Sequence, residues 1–328
     1  MVTVRGWALA LALACCVHVE AHACEPAAAG PAPGAWRLAW SEEFGGDKID
    51  AQTWSHEIDC WGGGNSERQC YTNFPENSRV EGGCLIITAR LETVAGPAWP
   101  AHLRGREGHD AKEVKEQPFS SARLTTKNKA DWKYGRFEVR ARLPEGQGVW
   151  PAIWMLPTEE IYGPWALSGE IDIIEAVNLG TRCKTCKGGI ENEIHGTIHY
   201  GGKWPQNRFI GKETQLPAVP PGGQEFHVFA VEWTEGRIDW FLDGRRYHSV
   251  TSSAWSPLIG GLAGKKEAPF DQRFHLLINL AVGGDWPERE NEGGVLFKAF
   301  PAELLVDWVR VYDCPADPAS SKACRSPS

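Results

Sequence analysis

The chain lacks the features that would take it to a membrane or a nucleic acid. Its 328 residues hold 34 Lys and Arg against 42 Asp and Glu, a formal net charge of −8, and no basic run interrupts that balance. That balance argues against a nucleic-acid partner, and no basic run points to an anionic membrane surface. Strong amphipathic helix patterns are almost missing, and no internal repeat is found. There is no Lys-Ser/Thr after the glycines of Gly62-Gly63-Gly64-Asn65, which argues against nucleotide binding, and there is no EF-hand loop. A single apolar stretch, Trp7 to Val19, is too short to span a bilayer comfortably. Arg5 precedes it and Ala21-His22-Ala23 follows in the small-x-small pattern. Residues 1–23 therefore read as a secretory signal peptide cut before Cys24, and a lipoprotein cut at Cys15 fits less well. The mature protein is expected to be exported, secreted or periplasmic, with no membrane attachment after cleavage.

What is present agrees with export. Of ten cysteines, Cys15 and Cys16 leave with the leader and eight remain. An even count in an oxidising compartment reads as disulfides. Cys60 with Cys70, Cys314 with Cys324, and Cys183 with Cys186 each bracket a short loop; Cys24 with Cys84 follows by elimination. Cys183-Lys184-Thr185-Cys186 is alternatively a redox motif or half a zinc site. No second CxxC, no suitably spaced His pair and no βα context supports either.

Residues 24–35 are an Ala/Pro/Gly-rich linker, and no interdomain break follows it. Short strand-like runs recur between turn signals, among them Gly135 to Leu143, Gly169 to Val177, Glu193 to Tyr200 and Leu305 to Tyr312. Arg136-Phe137-Glu138-Val139-Arg140-Ala141-Arg142 alternates with period two, and Leu242-Asp243-Gly244-Arg245 signals a tight hairpin. The pattern predicts one all-β domain over residues 36–314, a sandwich or jelly roll. Ala95 to Pro118 reads as an extended surface loop, and residues 315–328 as a polar tail frayed outside its disulfide.

The stretch Gly169-Glu170-Ile171-Asp172-Ile173-Ile174-Glu175 sets a puzzle. In a flat strand Glu170 and Asp172 share a face while Glu175 points into the core. One β-bulge near Ile173-Ile174 shifts the alternation and lines up all three acids. The outer Cα atoms are then about 13 Å apart. Two Glu side chains leaning together approach the about 5–5.5 Å between carboxyl groups that retaining glycoside hydrolysis needs. Glu170 as nucleophile, Glu175 as acid/base and Asp172 between them is a coherent catalytic set, titrating as a coupled group. A solvated acidic strand face or a calcium cluster are the plainer alternatives.

This signature resembles the bulged E-x-D-x-x-E form of glycoside hydrolase family 16. The surroundings are similar too: Trp40-Ser41-Glu42-Glu43-Phe44, Tyr134-Gly135-Arg136-Phe137-Glu138, Gly148 to Leu156, His195-Gly196-Thr197-Ile198-His199 and Val306 to Tyr312. The resemblance runs from about residue 36 to 313. It implies a β-jelly roll of two curved antiparallel sheets with a substrate cleft on the concave face. It also implies a laminarinase-like, retaining endo-1,3-β-glucanase that needs no catalytic cofactor and takes β-glucan polysaccharide as its partner; a monomer is expected. Members acting on mixed-linkage glucan or a marine galactan share the signature, although the bulge leans against the dedicated lichenase type. A non-catalytic β-glucan-recognition protein on the same fold would lack the glutamates kept here.

Around the acids, Trp150 and Trp154 stand four apart on one strand, placed to share a face and stack on sugar rings. Core packing is the plainer reading for each, and Trp132, Trp165 and Trp286 are evenly balanced between the two. The resemblance puts Asn65 at the non-reducing side of the cleft and Arg123 nearby, with a surface salt bridge the alternative for Arg123. His199 is expected to hydrogen-bond in the cleft. His195 and His199 are too far apart along a strand to share a zinc ion comfortably. By resemblance alone, Glu43, Gly83 (through its carbonyl) and Asp307 would hold a structural calcium on the convex sheet.

Overall fold

The alternation seen in the sequence resolves into two sheets that share one core. The protein is described by a computed structural model covering residues 24, 34–217, 225–255, 265–290 and 293–327. The expected signal peptide and nearly all of the linker lie outside the described residues. The larger sheet holds β1 (Arg37–Glu42), β3 (Gln69–Tyr71), β4 (Ser78–Glu81), β5 (Cys84–Pro97), β6 (Val114–Ser121), β8 (Gly135–Arg142), β13 (His227–Thr234), β14 (Arg237–Leu242), β15 (Arg245–Thr251) and β17 (Ala302–Asp313). The smaller holds β2 (Ser55–Glu57), β7 (Arg123–Thr125), β9 (Val149–Pro157), β10 (Glu170–Glu175), β11 (Glu193–Gly201), β12 (Asn207–Gln215) and β16 (Phe274–Val282). The order across this smaller sheet is β12-β11-β10-β9-β16-β7-β2. Pairing is antiparallel throughout except between β3 and β6, which run parallel.

Each strand sends alternate residues inward. Phe137, Val139 and Ala141 of β8 meet Ile153 and Met155 of β9, Ile171 and Ile174 of β10, and Leu276 and Ile278 of β16 in one apolar cluster. At roughly 25 cal/mol per Å² buried, this shared core is the main force holding the sheets together. Asp243 and Gly244 form the predicted two-residue hairpin turn, both left-handed at φ 49° and 75°, the conformation that matches the twist of β14 and β15. The chain is thus the expected β-jelly roll.

Among the described residues, disulfides join Cys24 to Cys84, Cys60 to Cys70, Cys183 to Cys186 and Cys314 to Cys324. Two readings need correction. Ala95 to Pro118 is not a loop at either end: β5 continues to Pro97 and β6 starts at Val114. The two strands pair from Leu91–Phe119 to Pro97–Val114, so a hairpin projects from the sheet. One face is open to water, while on the other Gln117 is buried and donates to the carbonyls of Cys60 and Glu67; polar residues on both faces hid the alternation. The tail is not frayed either. Ser326 donates to the buried Glu232 from its backbone N (2.8 Å) and its Oγ (2.6 Å). Arg136 Nη1 and Trp36 Nε1 donate to the same carboxylate, and Arg325 reaches Thr234 Oγ1 at 2.7 Å. A buried charge needs these donors. Deleting residues 325–328 should therefore cost about 1–3 kcal/mol and lower Tm by roughly 3–10 °C in a thermal melt; an unchanged Tm would show the tail to be idle.

Candidate active site

The predicted bulge is present, and it decides which side chains line the cleft. On β10, Asp172 pairs with Thr197 and Trp154, while Glu175 pairs with His195 and Ala152. Three residues of β10 thus span what two residues span on each neighbour. Ile173 and Ile174 are both buried, and Glu175 returns to the face of Asp172 and Glu170. Register then carries across the whole sheet. One row reads Glu57, Arg123, Asn279, Ala152, Glu175, His195, Glu213, and the next reads Ser55, Thr125, Leu277, Trp154, Asp172, Thr197, Gly211. A third row aligns Glu170, His199 and Phe209. Seven strands at about 4.8 Å spacing give a face roughly 30 Å across.

Walls rise at the two strand ends. Trp165, in the segment after β9, donates Nε1–H to Glu170 Oε2 at 2.8 Å. Trp286, in the short helix Asp285–Arg289 after β16, packs edge-on to Trp150 and to His195, with ring centroids 5.4 and 4.9 Å apart. The cleft therefore runs across the strands, along the rows.

Burial is the first cause that pushes all three acids up. Glu170 rises to about 8 and Asp172 well above the carboxylate range, each with the negative charge of Glu175 as a further cause. Glu175 rises to about 7, with the Trp150 N–H holding it down and the charge of Glu67 adding to the rise. That ordering alone would ionise Glu175 before Glu170, but the donors point the other way. Glu170 accepts from Trp165, feels the charge of Arg123 and lies in hydrogen-bond reach of Asp172. Asp172 Oδ2 accepts no hydrogen bond among the described residues, His199 Nε2 standing 3.4 Å away without the geometry of one. Asp172 is the group that keeps a proton, shared with Glu170, and the anion is best stabilised on Glu170. His199, lowered to about 4 by burial, is neutral, with Nε2 3.4 Å from Asp172 and 3.7 Å from Glu170.

The remaining predicted residues separate by environment. Trp150 is 9% exposed and packed on Val177, Ala281 and Trp286. It does not offer its face to solvent beside Trp154 as expected; its Nε1–H reaches Glu175 Oε1 at 3.1 Å. Trp154 stays half-buried, its Nε1 held by Asn279 Oδ1 at 2.7 Å. Trp132 packs against Trp40 and Phe137 and belongs to the core. Arg123 is buried and not a surface salt bridge: it reaches Glu57 at 3.4 Å and lies over the Tyr71 ring. Asn65 is exposed and hydrogen-bonds Glu67, which also receives Gln69 and Tyr71. Asn279 and Tyr71 escaped the sequence reading. The signal was there for Asn279, a single amide in the apolar run Phe274 to Val282.

Trp150→Phe keeps the ring and removes the N–H that lowers Glu175. The alkaline limb of kcat/KM should then move upward by about 0.5–1 pH unit, read from a pH–rate profile; an unmoved limb would separate Trp150 from Glu175.

Two clusters among the described residues bring metal-ligand atoms together: Glu170, Asp172 and His199, and Cys183, Cys186 and Glu191. The first is the proton-sharing set above, and the sulfurs of the second are joined as a disulfide. The expected calcium set does not fit as it stands. Both carboxylates already face cations, Glu43 through a two-pronged pair with Arg310 and Asp307 through Arg140.

Coupled carboxylates in an aromatic-walled groove are the equipment of a hydrolase that works on sugar chains. The model for "Glycosyl hydrolases family 16" matches residues 99–308. The "Beta-glucanase" of Rhodothermus marinus is 41% identical over 282 residues, covering 84% of this chain and 85% of that protein. The "Glucan endo-1,3-beta-glucosidase A1" of Niallia circulans is 37% identical over 86% of this chain, which spans only 38% of that longer protein. The laminarinase structure from Rhodothermus marinus superposes with a TM-score of 0.65 at 39% identity, over 86% of this chain and 98% of that one. The chain belongs to glycosyl hydrolases family 16.

Proposed function

We propose that the protein is an exported endo-1,3-β-glucanase that cleaves laminarin-type β-glucans with retention of configuration. Residues 36–314 would form the catalytic unit, delivered by the leader at residues 1–23. The observation that carries the reading is the bulge, which brings Glu170, Asp172 and Glu175 onto one face of the cleft. Glu170 attacks the anomeric carbon, and the bond to the leaving sugar breaks as its oxygen takes the proton of Glu175. A water molecule then gives a proton to Glu175 and attacks the same carbon, expelling the Glu170 carboxylate. Asp172 holds the shared proton that tunes Glu170, and Trp165 and His199 fix the nucleophile's side of the site. Trp154, Asn65, Arg123 and Trp286 shape the sugar path. The names of the Rhodothermus and Niallia relatives support a β-1,3-glucan substrate.

The test is product release from laminarin, lichenan, agarose and carrageenan by the purified protein. Laminarin oligosaccharides carrying the β-anomer as first product are expected. Release from agarose or carrageenan alone would replace the substrate; binding of laminarin without cleavage would replace the enzyme by a recognition protein.

A further inference from the structure

The mechanism uses the sheet only from β2 to β11, yet the face continues onto the edge strand β12. Phe209 of β12 pairs with His199, which pairs with Glu170, so Phe209 stands on the same face as the acids. Its ring lies 5.9 Å from that of His199 and remains 68% exposed. An aromatic side chain at a strand edge, aimed along the cleft and left open to water, has no packing reason to be there. Beside it, Gly211 faces Thr197, and a Cβ at that position would come within 2.7 Å of Thr197 Oγ1. The Thr197 side chain leans over Gly211 and takes that space, so no side chain rises from β12 between Phe209 and Glu213, on the row that holds Asp172.

We infer that β12 carries a distal sugar-binding subsite, with Phe209 as a stacking platform and Thr197, lying over Gly211, as its floor. It lies on the opposite side of the acids from Arg123 and Asn279. Two strand spacings put it roughly 10 Å from β10, comparable to two linked pyranose rings. The apolar C–H face of a pyranose packs on the phenyl ring while its hydroxyl rim meets Glu213 and water. Phe209 is thus a specificity-determining residue for chain length, and this rests on the β-1,3-glucanase reading above.

The experiment measures kcat/KM for wild type, Phe209→Ala and Phe209→Trp on a ladder of β-1,3-linked gluco-oligosaccharides of increasing length. For Phe209→Ala the longest substrates should lose about 5- to 30-fold while the shortest cleaved one stays within about twofold, and Phe209→Trp should restore the long ones. A loss equal at every length would mean that Phe209 acts only by supporting His199, and would overturn the subsite. No loss at any length would overturn it as well. A wild type that cleaves none of the ladder would bring down the glucanase reading itself, and the subsite with it.

Discussion

Glu170→Ala should lower kcat/KM on laminarin by about four orders of magnitude or more, since removing the proposed covalent nucleophile forfeits the whole double displacement. The alanine also leaves a space where the carboxylate stood. Sodium azide entering it should attack the anomeric carbon directly when the substrate carries a good leaving group. The single displacement then yields an α-glycosyl azide, whose configuration is read by NMR. A β-configured azide would mean that a glycosyl-enzyme still forms and that Glu170 is not the nucleophile. Full residual activity without azide would remove Glu170 from the chemistry altogether. Folding is not expected to suffer, because the substitution relieves a buried, mutually repelled carboxylate.

Glu175→Gln should cost about 10²–10⁴ in kcat on laminarin, the usual contribution of a positioned general acid. Substrates with activated leaving groups, which need no proton, should keep far more of their rate in the first step. The pH dependence gives an independent sign. Wild-type activity should fall as pH rises through about 7, where Glu175 loses the proton it must donate. Stability should move the same way. The folded state holds that proton up to about 7, while the unfolded chain releases it near the ordinary 4.5. Stability is therefore full below about pH 4.5 and declines as pH rises toward 7. The loss is on the order of 3 kcal/mol, and Glu175→Gln should abolish it, raising Tm at pH 8 but not at pH 4. Equal melting curves for the two proteins at pH 8 would show that Glu175 is not held against its charge.

Much of this was legible in the chain because the bulge is written into residue spacing. Three acids interrupted by Ile173-Ile174 cannot all avoid the core unless one extra residue is inserted, so the candidate acids could be read without coordinates. The hairpin at Asp243-Gly244 was legible for a similar reason, since two left-handed residues in succession need such a pair. Trp150 was placed on the right strand, but strand period cannot say that Trp286 would cover its face. The β5–β6 projection was missed because its inner face is held by polar contacts, Gln117 to the carbonyls of Cys60 and Glu67, and not by a regular apolar row. The packed tail was missed because its partner, Glu232, lies nearly a hundred residues away in sequence. Phe209 was invisible for the same cause: its meaning comes from register with Glu170 across two strands, not from its neighbours in the chain.

Two of the disulfides carry a consequence for proteolysis. Cys24 is tied to Cys84 at the start of β5, Cys314 to Cys324, and strands β1 and β17 lie hydrogen-bonded side by side. Each bridge closes a loop of the chain, so a backbone cut between Cys24 and Cys84, or between Cys314 and Cys324, would leave the two pieces covalently joined and still paired through the larger sheet.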